Sequence, residues 1–156
     1  MRYAQSTTVT IERSRAEIES ILGRYGTSKF AYFSEKHRAM VAFEIKGKRI
    51  RFIIPLADKS ETRFNRKKYY NSSRQMTPEE SQKVWEQACR QKWRSLSLII
   101  KAKLEYVESG DVTVEEEFLS NIVLPNNRTV SEMLIPQLTQ LYESGKIPLL
   151  IPEVTT

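Results

Sequence analysis

Cations and aromatic rings interleave in TRFNRKKYYNSSRQ, residues 62–75. Arg63, Arg66, Lys67, Lys68 and Arg74 can neutralise phosphates and release condensed counterions. Phe64, Tyr69 and Tyr70 can stack on bases, at about 1–3 kcal/mol per stacked base. That combination suits a single-stranded nucleic acid. From Lys59 to Gln75 six basic residues are set against Glu61 alone, a local charge of +5 in a chain whose net charge is +6. A stretch of roughly 18 residues without periodicity inside a compact domain is functional or disordered. Composition by itself does not choose between a binding surface and a flexible, solubilising insertion.

Two further cationic groups lie outside this stretch. Lys83, Arg90, Arg94 and Lys101 fall within about 40° of one another on a helical wheel of 100° per residue. Arg49 and Arg51 alternate with apolar residues on a strand. Each group also reads as the wet side of an amphipathic element. Convergence of all three on one face would be the stronger argument for a polyanion partner.

Enzyme signatures are sparse. His37 is the single histidine and sits near an expected hairpin turn, with no second base to complete a triad. Cys89, the single cysteine, falls on an apolar helical stripe and reads as a buried, inert thiol. No GxxxxGK[ST] or GxGxxG occurs, and five glycines leave little material for a phosphate cradle. Glu44 and Lys46 form an E-x-K pair of the kind that metal-dependent nucleases place on one strand face. The nearest other carboxylate is Glu35, so a nuclease is only a second alternative. Glu115, Glu116 and Glu117 lie in a helical first turn, where they favour the helix dipole. Neither a cofactor nor a metal site is expected.

The bulk properties set the frame. A chain of 156 residues is long enough for one self-sufficient core. Its calculated pI near 9.5 bears on partners rather than on fold. One cysteine excludes an internal disulfide framework and fits a reducing cytoplasm. Neither a signal-peptide apolar core nor a bilayer-length apolar run is present, so the expected setting is cytoplasmic, without a membrane partner.

The elements that must position these residues follow from periodicity. Residues 7–11, TTVTI, alternate as a short strand. Ser14 and Glu17 then form a capping box for a helix from Arg15 to Tyr25, closed by Gly26. Three extended segments, Lys29 to Phe33, Ala39 to Ile45 and Arg49 to Leu56, are joined by hairpin-length turns and so pair antiparallel. In the third, Ile50, Phe52 and Ile54 point one way and the two arginines the other. Thr77 as N-cap, Pro78 at the first helical position and Glu80 closing the box start a helix of about 30 residues. Its apolar stripe runs through Trp85, Cys89, Trp93, Leu96, Ile100, Leu104 and Val107. Capping boxes at Thr113–Glu116 and Thr129–Glu132 start two more helices, near Val114 to Asn121 and from Val130 to Ser144, the second to be kinked or split by Pro136. Asn126 and Asn127 suit a turn with positive φ. The tail GKIPLLIPEVTT is expected to dock on its own domain or to offer an extended segment to a partner.

The segments GKRIRFIIPLAD and VWEQACRQKWRSLSLIIKAKLEYVESGDVTVEEEFLSNIVLPNNRTVSEMLIPQLTQLYESGKIPLLIP resemble a family of small uncharacterised proteins of tailed bacteriophages and related mobile elements. The likeness covers nearly the whole chain. It implies a phage or prophage source and action inside a bacterial host cell, and it brings no established catalytic residues. Members of that family tend to carry an Asp-Gly turn where this chain has Asn126 and Asn127. The order of helix, meander and long helix is also similar to double-stranded-RNA-binding domains, and a meander under a long helix to phage single-strand annealing proteins. The sequence motifs of both are absent, and fold does not fix function.

The expected fold is therefore α+β: a three- to four-stranded antiparallel β-meander packed on a long central helix, with a helical C-terminal section. Residues 1–156 read as a single domain, divided into a strand-helix-meander part (7–57), a flexible basic loop (58–76), the long helix (77–110) and the C-terminal section with its tail (111–156). The expected function is a non-enzymatic, phage-type nucleic-acid-binding accessory protein of replication, recombination or repair, with DNA the favoured ligand. The alternative is a protein-binding effector, such as an inhibitor of a host defence complex, using the same cations against an acidic surface.

Overall fold

A computed structural model describes residues 4–145 apart from 28, 36 and 71. The expected tail from residue 146 onward lies outside the described residues. The first helix, α1, spans Ile11–Arg24, and the meander consists of β1 (Lys29–Ser34), β2 (Arg38–Ile45) and β3 (Lys48–Pro55), in the order β1-β2-β3 with both pairings antiparallel. Because side chains alternate across a strand, Ala39, Val41, Phe43 and Ile45 of β2 share a face with Ile50, Phe52 and Ile54 of β3. All seven are buried.

The long helix α3, Pro78–Glu108, starts on the expected capping box, with Thr77 Oγ1 accepting from the Glu80 N–H and the Glu80 carboxylate accepting from the Thr77 N–H. It buries Cys89, Trp93, Leu96, Ile100, Leu104 and Val107. These residues join Ile18, Ile21 and Leu22 of α1 and the inner sheet face in one hydrophobic core. The core is closed at the far end by α4 (Val114–Phe118) and a 3-10 turn (Leu119–Asn121). Phe118 is fully buried with its ring edge-on to Phe43 and Phe52, at centroid distances of 5.9 and 6.2 Å.

The N-terminal expectation is corrected. Residues 7–10 pair with no strand, and α1 begins one turn earlier than the Ser14 box implies, on Thr10, whose side chain accepts from the Arg13 N–H. The earlier cap lets Ile11 pack against the core one heptad before Ile18, while Ser14 becomes a buried helical residue. The edge of β3 is covered instead by the chain after the 3-10 turn. Ile122 bridges to Ile50, and the Val123 N–H donates to the Arg49 carbonyl at 2.8 Å. Covering an edge in this way satisfies backbone groups that would otherwise template association.

The last helix, α5, spans Val130–Ser144 and runs as one helix through Pro136. Proline cannot donate to the carbonyl four residues back, which belongs to Glu132. The Arg128 guanidinium supplies that donor at 2.6 Å, so the missing bond is replaced rather than left open. Asn127 takes the expected positive φ, 63°. Among the described residues, no helix is long and apolar enough to cross a membrane.

Candidate nucleic-acid interface

The basic stretch holds a helical turn and a hairpin where its lack of periodicity suggested an irregular loop. Phe64 is the reason. It lies on a single helical turn, α2 (Thr62–Asn65), packed against α3, and its ring is 1 % exposed. An apolar anchor fixes the stretch near its start, so Phe64 is a core residue and not a stacking platform. From there the chain forms a hairpin, β4 (Arg66–Lys68) paired antiparallel with β5 (Ser73–Gln75). The Met76 N–H donates to the Asn65 carbonyl and the Tyr69 N–H to the Ser72 carbonyl, extending the ladder at both ends.

Alternation gives the ribbon two faces. Lys67, Tyr69 and Arg74 share one. There Arg74 donates to both Glu80 oxygens at 2.8 and 2.6 Å and to the Tyr69 hydroxyl at 3.3 Å, clamping the ribbon to the first turn of α3. Hydrogen bonding from Arg74, and after it from the Thr77 N–H, lowers the Glu80 pKa to about 2. Its hydrogen bonds to Glu80, and after them to Tyr69, raise the pKa of Arg74. The other face carries Arg66 and Lys68, with Tyr70 following at the tip. The side chains of Arg66 and Lys68 are exposed and have no hydrogen-bond or ion-pair partner among the described residues. Tyr70 is 101 % exposed.

The Arg74–Glu80 clamp has a pH signature. A carboxylate whose pKa is lowered by folding contributes fully above its ordinary value, here 4.5, and loses its contribution as pH falls toward about 2. The clamp is therefore expected to weaken progressively between those limits, with Phe64 still holding the base of the hairpin on α3. Side-chain carboxyl NMR should show Glu80 titrating near 2, and in Arg74→Ala the midpoint should rise toward the ordinary carboxylate range. An unchanged midpoint in that variant would remove Arg74 as the cause.

The remaining cations divide. Arg63 pairs with Glu61 at 2.7 Å and stacks over the Phe64 ring at 4.5 Å. It shares a shallow cleft with Lys83 and Arg90, where the stretch and the helix stripe meet. Arg90 is occupied by Gln87 at 2.7 and 3.0 Å and lies 4.0 Å from Glu86. Arg94 is paired with Glu17 of α1, and Lys101 approaches Glu105 at 3.8 Å. Arg51 is a structural cation. Its side chain is only 14 % exposed and donates to Glu132 at 2.9 Å and to the Asn127 carbonyl at 3.1 Å. Arg49 reaches the Leu124 carbonyl at 3.4 Å on the same outer face of the sheet, which faces away from α3. The expected three-way convergence thus reduces to the hairpin, Arg63 and Lys83.

No protein-family model, curated protein or solved structure matches this chain. The functional reading therefore rests on side-chain geometry.

That geometry also tests the E-x-K pair. Lys46 has φ 46° in the β2–β3 turn, while Glu44 is on β2 and pairs with Lys29 of β1 at 3.1 Å. The two do not share a strand face, which corrects the expected convergence. Among the described residues no three of His, Cys, Asp and Glu gather in metal-binding proximity. His37 is a surface residue, 3.4 Å from Asp58. Cys89 is buried, and burial raises its thiol pKa.

One cation escaped sequence reasoning. Arg15 of α1 is held between the rings of Trp93 and Tyr32, 4.5 and 4.9 Å from their centroids, with Nε buried and without an acceptor. No local pattern marks it, because its neighbours come from α3 and β1.

Proposed function

We propose that this chain is a non-enzymatic, phage-type nucleic-acid-binding accessory protein whose β4–β5 hairpin is the contact element, with single-stranded DNA the favoured ligand. The observation that carries the reading is the ribbon face on which Arg66 and Lys68 stand unpaired beside a fully exposed Tyr70. Lysine and arginine without carboxylate partners are available to phosphate oxygens, and a ring wholly in water gains by stacking. Replication, recombination or repair inside a bacterial cytoplasm is the setting consistent with this reading and with the resemblance in the sequence.

Binding of a labelled single-stranded oligonucleotide across a salt series tests it. Contacts by Arg66 and Lys68, joined by the exposed Lys67 from the ribbon's other face, should give log K against log salt a slope of about −2, at roughly −0.7 per phosphate neutralised on a single strand. Absence of binding at low salt would reject the reading.

One observation favours a second reading, a protein-binding effector. On α5, Ile135, Leu138 and Tyr142 repeat at helical spacing and are exposed. An apolar stripe of that kind suits a protein partner more than a phosphate backbone. Failure of the oligonucleotide assay would promote this reading.

A further inference from the structure

A cleft of about 390 Å³ opens between α1, the β1–β2 connection, the chain after β3 and the first half of α3. Its apolar wall is Ile11, Leu56 and Cys89 with both tryptophans of the chain, Trp85 and Trp93. Arg15 and Lys59 stand on this wall as cations. The aromatic stack around Arg15 fixes the plane of its guanidinium and provides no anion. Lys59 is 4.3 Å from the Trp85 ring centroid and donates to the Gln82 side-chain oxygen Oε1 at 2.7 Å. Neither cation has a carboxylate partner among the described residues.

The two carboxylates of the cleft are engaged elsewhere. Asp58 accepts from Ser60 at 2.8 and 2.9 Å and faces His37, and Glu35 accepts from Arg38 at 2.7 Å. The uncommitted charge is positive. A volume at the small end of the range of about 300–1,000 Å³ for ligand sites admits a single mononucleotide-sized group and excludes a strand. Lys59 is tied to the base of the hairpin, since its carbonyl accepts from Asn65 Nδ2 at 2.9 Å and Arg66 follows directly.

We propose that this cleft binds a phosphomonoester carried on a flat apolar body, with Arg15 and Lys59 on the phosphate and the partly exposed Ile11, Leu56 and Trp85 against the body. A nucleotide has this chemistry. It has two sources, a free mononucleotide or the phosphorylated end of a strand lying on the hairpin, and the second rests on the hairpin reading.

Because both tryptophans line the cleft, intrinsic fluorescence reports on it directly. Thymidine 5′-monophosphate should produce a saturable change, and thymidine should bind about tenfold more weakly, as expected for loss of a charge-assisted contact. Arg15→Gln and Lys59→Gln should each reduce monophosphate affinity by a similar factor. If Arg15→Gln fails to fold, Lys59→Gln alone decides, because Lys59 is exposed. Equal responses to thymidine and its monophosphate, or an unchanged response in Lys59→Gln, would overturn the site. In the strand arm, oligonucleotides with 5′-phosphate, 3′-phosphate or hydroxyl ends are compared. Preference for one phosphorylated end identifies the strand terminus as the source; binding of the free monophosphate without such preference identifies the mononucleotide. Oligonucleotide binding indifferent to end phosphorylation, with no tryptophan response to the monophosphate, would remove this cleft and leave the hairpin reading standing. Monophosphate binding without oligonucleotide binding would do the reverse.

Discussion

Replacing Arg66, Lys67 and Lys68 together by Ala is expected to weaken single-stranded oligonucleotide binding about fifty-fold at roughly 0.15 M salt, from three lost phosphate contacts at about 0.7 of a log unit of salt dependence each. The slope of log K against log salt should flatten by about 2 in the same variant. Thermal stability should hardly change, because all three side chains are exposed and exposed substitutions away from caps and cores stay within about 0.5 kcal/mol. The Phe64 anchor and the Arg74–Glu80 clamp remain in place to hold the ribbon. Arg49→Ala is the matched control. It removes one positive charge from the outer sheet face, so it should move affinity far less than the hairpin triple. If affinity and salt slope survive the triple substitution, the hairpin is not the contact element; if the control loses as much per charge, binding is a response to net charge and has no defined site.

The prediction narrows what charge counting suggested. The residues 62–75 carry both anchors and contacts, and composition cannot separate them. Phe64 reads as an exposed ring until α3 is placed beside it, and Arg74 reads as a phosphate ligand until the hairpin brings it to Glu80. Glu80 itself was legible through the capping box, since Thr-Pro-Glu-Glu is a local signal that the tertiary structure leaves unchanged. The strands were legible for the same kind of reason. A period of two with Ile50, Phe52 and Ile54 on one side can be satisfied only by burying that side. Thr10 and Ser14 show the limit of local signals. The Ser14 box is the local signal, but the helix starts on Thr10, which adds Ile11 to the core. Arg15 and Arg51 lay beyond local reasoning altogether, because the groups that hold them come from 17 or more residues away in sequence, Tyr32 and Trp93 for one and Glu132 for the other.

Phe118→Ala is expected to cost about 3–5 kcal/mol, the range for truncating a fully buried phenylalanine, and to lower the melting temperature by roughly 6–20 °C for a domain of this size. The ring packs edge-on against the stacked pair Phe43 and Phe52 at one end of the sheet, and the Lys103 ammonium lies 5.5 Å from its centroid. Its loss would open a cavity under the short helix that leads the chain to Ile122, the residue that bridges to the β3 edge. The C-terminal section should therefore loosen first, with amide exchange rising at Val123, whose N–H is bonded to the Arg49 carbonyl, before it rises in β2. The hairpin is fixed through Phe64 and Glu80 near the opposite end of α3, so oligonucleotide affinity measured well below the melting transition should be unchanged. Uniform loss of protection across β2 and Val123 would mean that Phe118 supports the whole core rather than its closing end. A fall in affinity at a temperature where the fold persists would show the two ends of α3 to be coupled, and would move part of the binding energy away from the ribbon.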